Sequence, residues 1–307
     1  MGCIEIHNLS KSFGTVSALT DISLDIQGNT LYGFIGPDGA GKTTIFRILA
    51  TLLIPDKGEA FVKGYNVISD YKKIRHFVGY MAGRFSLYPD LTVEENIKFY
   101  ATIFETSLKK NYHLIKTVYS HLEPFKNRPA LKLSGGMKQK LALCCALIHN
   151  PEILILDEPT TGVDAVSRRE FWELLKELKE KGMTILVSTP YMDEASLCDN
   201  VALMQKGTVM LNDKPENIVA AYKRKLFALK SSDIHRLITD VRSFDETLNA
   251  YLFGQSVHLT LKDQSDNSCN KIITKLEKLG HNNITLSLIR PEIEDCFIEA
   301  IENQRSD

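Results

Sequence analysis

The sequence predicts an α/β protein: a large domain built around a parallel sheet, then a small α+β domain. Three observations carry this. An apolar run at 31–35 enters a glycine-rich loop, and a helix at about 43–53 leaves it. A fully apolar run at 153–156 is followed by helix-spaced apolar residues and a third apolar run at 183–188. Such strand–helix–strand alternation implies parallel strands joined by right-handed crossovers. From about Pro215 the texture changes to short alternating segments, so domains are expected at 1–224 and 225–307.

Composition sets limits. A chain of 307 residues has room for one large and one small domain. The formal net charge of −1 supplies no global field, and no nucleic-acid partner is expected. No run of about 18 apolar residues occurs, so no membrane-spanning helix is expected. Residues 1–7 alternate as a strand does and do not read as a secretion signal. Gly2-Cys3 hints at lipidation, but acylation wants Ser or Thr where Ile6 stands. None of the six cysteines forms a Cys-x-x-Cys pair, which argues against zinc and redox sites and suits a reducing cytoplasm. Cys144 and Cys145 fall in an apolar helical run and read as core.

Taken in order, residues 3–7 and 20–26 read as strands around a polar turn, Lys11-Ser12-Phe13-Gly14. The loop after the 31–35 strand is Gly36-Pro37-Asp38-Gly39-Ala40-Gly41-Lys42-Thr43, with Thr44 next. Glycines let backbone N–H groups converge on phosphate oxygens, and the helix start adds its partial positive charge. In this pattern Lys42 reaches the β- and γ-phosphates and the Thr43 hydroxyl binds Mg²⁺. The competing reading is a glycine-rich turn without a ligand. Phe13, ahead of the loop, is either a cap on the small sheet or a platform for adenine.

Strands are expected at 59–62 and 77–81, the first preceded by Pro55-Asp56-Lys57-Gly58. Beyond the irregular stretch 82–90, Thr92 reads as a helix N-cap, with Glu95 completing a capping box. Residues 92–124 read as mostly helical, with Ile97, Tyr100, Ile103 and Phe104 at helical spacing. Leu133-Ser134-Gly135-Gly136 opens a helix to about His149, as a plain cap or as a second anion site.

The 153–156 strand is apolar enough to be buried on both faces. Asp157 and Glu158 stand at its carboxyl end, where parallel α/β sheets bind ligands. Asp157 is read as holding Mg²⁺ through water, and Glu158 as orienting or deprotonating an attacking water. A solvated acidic turn is the alternative. A helix at 167–180 buries Phe171, Leu174, Leu175 and Leu178 and stops at Gly182. Segments 201–204 and 209–211 form a hairpin around Lys206-Gly207. In the tail, helices at 215–224, 270–279 and 292–302, with strands near 225–230, 256–262 and 284–289, make a unit for contact or regulation.

The order of these motifs is similar to that of one family, the nucleotide-binding subunits of ATP-binding-cassette (ABC) transporters, over about residues 3–222. The phosphate loop, Leu133-Ser134-Gly135-Gly136 and Leu156-Asp157-Glu158-Pro159 together carry the resemblance. The runs at 87–96 and 291–298 resemble the ATPases of exporters whose membrane subunit is a separate chain. The resemblance implies a P-loop NTPase domain with a parallel core, an antiparallel subdomain and a helical subdomain at about 84–150. It implies ATP and Mg²⁺ as cofactors, Lys42 and Glu158 as catalytic residues, and Phe13 stacked on adenine. Ser134, Gly135 and Gly136 match a segment that contacts the γ-phosphate bound on an opposite subunit. Asp164 matches the loop that links the two sites of a head-to-tail dimer. The implied partners are a separate transmembrane permease and a second ATP-binding subunit, identical or different. The implied location is cytoplasmic, peripheral on the inner face of the cell membrane.

Two positions depart from the family pattern. Gly83 stands where the family carries a Gln that helps bind Mg²⁺ and water. Pro190 stands where it carries a His touching the γ-phosphate, and proline has neither a side-chain donor nor an N–H. ATP binding is expected to be near normal and hydrolysis slowed, unless a heterodimer supplies a complete site or a neighbour such as Arg84 substitutes. A transport motor docked to its permease through 83–91 is the leading function. A non-hydrolytic nucleotide-binding regulator and a soluble ATPase of the same family are the alternatives.

Overall fold

The computed structural model describes residues 2–83, 86–263 and 265–306. Arg84, the expected substitute neighbour, and Phe85, in the expected docking surface, lie outside the described residues. The chain divides into two compact units, Met1–Glu216 with Glu299–Asp307, and Asn217–Ile298.

The first unit opens with a hairpin of β1 (Ile4–Phe13) and β2 (Val16–Ile26). The polar residues 11–13 are strand, not turn: Phe13 pairs with Val16, and only two residues make the connection. Antiparallel strands tolerate polar residues on a solvated face, so polarity here is not a turn signal. β3 (Leu31–Ile35) and α1 (Lys42–Leu49) flank the glycine-rich loop. β4 (Lys57–Val62) and β5 (Tyr65–Asn66) complete an antiparallel sheet of order β2-β1-β4-β5. A short helix, α2 (Tyr71–Phe77), which the sequence reading lacked, precedes β6 (Val78–Met81).

The expected helical stretch after Thr92 is broken. α3 (Val93–Ile103) and α4 (Leu108–Tyr119) are separated where Glu105 takes φ 53° and Ser107 caps α4 through Lys110 N–H. The Thr92–Glu95 capping box is present, with Glu95 N–H donating to Thr92 Oγ1 at 3.2 Å and Thr92 N–H to Glu95 Oε2 at 2.8 Å. α5 (Gly135–Leu147) follows. Next come β7 (Ile153–Asp157), α6 (Ala165–Glu180), β8 (Thr184–Thr189), β9 (Asn200–Gln205) and β10 (Thr208–Asp213). The second sheet has order β10-β9-β3-β8-β7-β6, parallel throughout except for β10. β3 and β7 are buried along their whole length, as strands covered on both faces must be. Ile4, Ile6, Leu24, Phe34, Phe46 and Met204 belong to one core cluster that joins strands of both sheets to α1. This packing fixes the loop between β3 and α1.

α7 (Pro215–Ala220) crosses the division of the chain. The second unit contains β11 (Leu226–Lys230), α8 (Ile234–Arg242), β12 (Thr247–Phe253), β13 (Ser256–Leu261), α9 (Asp266–Lys278), β14 (Thr285–Ile289) and the start of α10 (Ile293–Ser306). The sequence reading lacked α8 and β12. The sheet is antiparallel, of order β12-β13-β11-β14, the split β-α-β arrangement. α8 and α9 cover one face through Leu237, Val241, Ile272 and Leu276. His258 and Asp295 form a buried pair 2.7 Å apart, and Tyr251 donates to the same carboxylate at 2.5 Å.

Candidate active site

The loop from Gly36 to Thr44 is held by its surroundings. Gly36 donates its N–H to Thr189 O at 3.2 Å, and a Cβ at this position would lie 2.2 Å from Met204 O. Gly41 has φ +104°, and its Cβ would lie 2.6 Å from Ala18 O. Ala40 is buried and accepts Gly207 N–H at 3.1 Å. Pro37, Asp38 and Gly39 are exposed at the tip, and Thr44 is half-buried. α1 has no side-chain cap and no acid in its first turn. Its positive end is therefore not neutralised locally and favours an anion.

Lys42 is buried, 3% exposed. It donates to Gly36 O at 2.7 Å and Pro37 O at 3.0 Å, and lies 3.5 Å from Glu158 Oε1. Thr43 Oγ1 donates to Asp157 Oδ1 at 3.0 Å. The structure thus brings Lys42, Thr43, Asp157 and Glu158 together from the two ends 36–44 and 157–158. Glu158 has φ 49°, a region that costs an L-residue about 1–2 kcal/mol and persists where surrounding contacts impose it.

Those contacts come from Ser188, which sequence reasoning missed. Its hydroxyl donates to Asp157 Oδ1 at 2.7 Å and accepts Glu158 N–H at 2.9 Å. The available signal was a hydroxyl residue at the carboxyl end of a parallel strand beside an acidic pair. Glu194 was also missed. It is buried and accepts from Thr160 at 3.1 Å and Thr189 at 2.5 Å, with Arg168 Nε 3.6 Å away. It ties the segment after Pro190 to the loop after Glu158.

Gly83 lies against Asp157: a Cβ there would be 3.0 Å from Asp157 O and 3.6 Å from its Cγ. Pro190 follows β8 and is half-buried. Phe13 ends β1, 51% exposed, with Lys11 Nζ 5.7 Å from its ring centre, so the ring is not consumed by the sheet.

Ser134 and Asp164 are the N-caps of α5 and α6. Ser134 Oγ accepts Met137 N–H at 3.3 Å, and Asp164 Oδ1 accepts Ser167 N–H at 3.0 Å. The hydrogen bonds from Ser167 hold the Asp164 carboxyl below its ordinary range. The two helix starts abut. A Cβ on Gly135 would lie 3.2 Å from Gly162 O, and one on Gly136 would lie 2.6 Å from Ser167 Cβ. Spacing alone did not reveal this contact.

The donor set fits a Mg²⁺-bound polyphosphate. Thr43 and Asp157 offer hard oxygens, and Mg²⁺ takes one or two carboxylates plus substrate phosphates rather than an all-protein cage. Among the described residues no cluster of three His, Cys, Asp or Glu side chains exists. Nor is any described helix long and apolar enough to cross a membrane.

The sequence profile of the family described as ABC transporter matches residues 19–161. The chain is 36% identical over 304 residues to the probable multidrug ABC transporter ATP-binding protein YbhF of Escherichia coli, covering 97% of this chain and 52% of that protein. It therefore spans about half the length of that relative. It is 36% identical over 219 residues to the Nod factor export ATP-binding protein I of Burkholderia lata, covering 70% of this chain and 72% of the relative. Among solved structures, cbiO1 of Clostridium perfringens, part of the ABC transporter complex cbiONQ, superposes with TM-score 0.64 at 26% identity, over 72% of this chain and 91% of that one. The dimeric post-hydrolysis state of the ATP-binding cassette MJ0796 with ADP and phosphate gives TM-score 0.62 at 28% identity, over 69% and 98%. With the loop, the acidic pair and the two capped helix starts in place, the chain belongs to the ABC transporter ATP-binding family.

Proposed function

We propose that the chain binds Mg²⁺·ATP on the loop 36–44 and hydrolyses it as the ATP-binding subunit of an exporter with a separate permease. The observation that carries this is the convergence of Lys42, Thr43, Asp157 and Glu158, with Thr43 Oγ1 3.0 Å from Asp157 Oδ1 and Lys42 Nζ 3.5 Å from Glu158 Oε1. Thr43 and Asp157 hold the metal, which neutralises charge on the transferred phosphoryl group when bound. Lys42 leaves the Gly36 and Pro37 carbonyls for the β- and γ-phosphates. A Glu158 carboxylate oxygen takes the proton of the attacking water. Phe13 offers adenine a free ring face. Ser134, Gly136 and Asp164 serve a nucleotide held by a second ATP-binding subunit, identical or different, in a head-to-tail pair.

An apolar cavity of about 340 Å³, lined by Leu52, Tyr80, Leu87, Tyr100, Cys145 and His149 among others, supports docking of the permease next to the 83–91 segment. Attachment to the inner face of the cell membrane follows from that docking. Gly83 and Pro190 favour a second reading, a regulator that holds ATP without turnover.

Steady-state phosphate release across a protein concentration series, with Glu158→Gln as background, tests the proposal. A rate per subunit that rises with concentration and vanishes in the variant supports it. Bound ATP without release above background supports the regulator instead, or a chain that needs a different partner subunit.

A further inference from the structure

We infer that Ser188 is a positioning residue for this chemistry: its hydroxyl fixes the Asp157 carboxylate and the Glu158 backbone relative to one another. The inference rests on the ATPase reading above and extends it to a residue without a role there. Ser188 is fully buried at the end of β8 and pairs with Asp157 in the parallel ladder of β7 and β8. A hydroxyl has one proton to give and lone pairs to receive with. Ser188 uses both: it donates to Asp157 Oδ1 at 2.7 Å and receives Glu158 N–H at 2.9 Å. Its own carbonyl also accepts that N–H, at 3.1 Å. Residue 188 therefore sets the metal ligand's orientation and the left-handed turn that aims the base.

Thr43 also donates to Asp157 Oδ1, while the lone pairs of its hydroxyl are what a bound metal would take. Among the described residues, Ser188 is the hydroxyl donor to this carboxylate that has no metal to serve. On the opposite side stands Gly83, which has no side chain to brace Asp157. The bare position makes the hydroxyl at 188 more consequential. Outer hydrogen-bond partners of metal ligands typically govern affinity or activity by about 10–100-fold.

The test is titration of a fluorescent ATP analogue, in Mg²⁺ and in EDTA, alongside phosphate release, for the parent chain, Ser188→Ala, Ser188→Cys and Ser188→Thr. Ser188→Ala should raise the Mg²⁺ concentration for half-maximal binding and lower kcat, each about 10–100-fold. Affinity in EDTA, set by the loop and Lys42, should stay within about twofold. Ser188→Thr, which keeps the hydroxyl, should recover most of both. Ser188→Cys keeps the volume but is a weak donor, and should share the Mg²⁺ defect even if Ser188→Ala does not fold. A folded Ser188→Ala or Ser188→Cys with the parent's Mg²⁺ dependence and rate overturns the inference. If the parent itself binds no ATP, or Glu158→Gln releases phosphate as the parent does, the ATPase reading fails and takes this one with it. A competent parent with an indifferent Ser188 overturns this one alone.

Discussion

Gly83→Gln with Pro190→His should accelerate ATP hydrolysis, by an amount the structure bounds. One preorganised contact to transition-state charge contributes about 10²–10³ in rate, or about 2.7–4 kcal/mol. At position 83 the gain is reduced. A Cβ would lie 3.0 Å from Asp157 O, so that carbonyl must yield by a few tenths of an ångström. Tight insertions of this kind cost on the order of 1–3 kcal/mol. The remainder, about 1.4 kcal/mol at the middle of both ranges, corresponds to roughly tenfold from Gly83→Gln. At position 190 φ is not positive, so histidine meets no backbone strain there, and about 10² is expected from Pro190→His alone. The assay is single-turnover phosphate release at saturating Mg²⁺·ATP, which reads chemistry apart from nucleotide affinity. A folded double variant that binds ATP and hydrolyses it no faster than the parent refutes the reasoning that these two positions limit the rate.

Two further outcomes are expected. Gly36→Ala should cost at least about 3 kcal/mol and lower the melting temperature by several degrees or prevent folding, because its Cβ would sit 2.2 Å from the Met204 carbonyl, which cannot rotate away as a side chain can. The Asp164 cap should contribute stability that depends on pH. Its folded carboxyl titrates below the unfolded range of about 3.9, so the contribution is complete above that range and is lost as pH falls through the lower folded value. Melting curves between neutral and acidic pH should therefore be flatter for Asp164→Asn than for the parent.

The parts of this molecule legible in sequence are those where one local rule suffices. The glycine-rich loop is legible because Gly36 and Gly41 stand where backbone or carbonyl groups leave no room for a side chain. The strands at 31–35 and 153–157 are legible because burial on both faces demands unbroken apolar runs. The Thr92–Glu95 box is legible because both hydrogen bonds lie within one turn. What escaped depends on distant partners. Residues 11–13 look like a turn until β2 pairs with them. α8 presents its apolar residues over only nine positions, too few for periodicity to stand out. Ser188 reads as an ordinary strand residue; its meaning comes from Asp157 and Glu158, which lie 31 and 30 residues earlier in the chain.

The abutting starts of α5 and α6 have a mechanical consequence. Gly136 and Ser167 leave no space for a single methyl group between them. There is accordingly no slip plane along which one helix end could shift while the other stays. A load applied at Ser134 is borne at once by Asp164, and packed interiors of this density transmit displacement rather than absorb it. Movement at the start of α5 is then movement at the start of α6, one stiff corner of the chain.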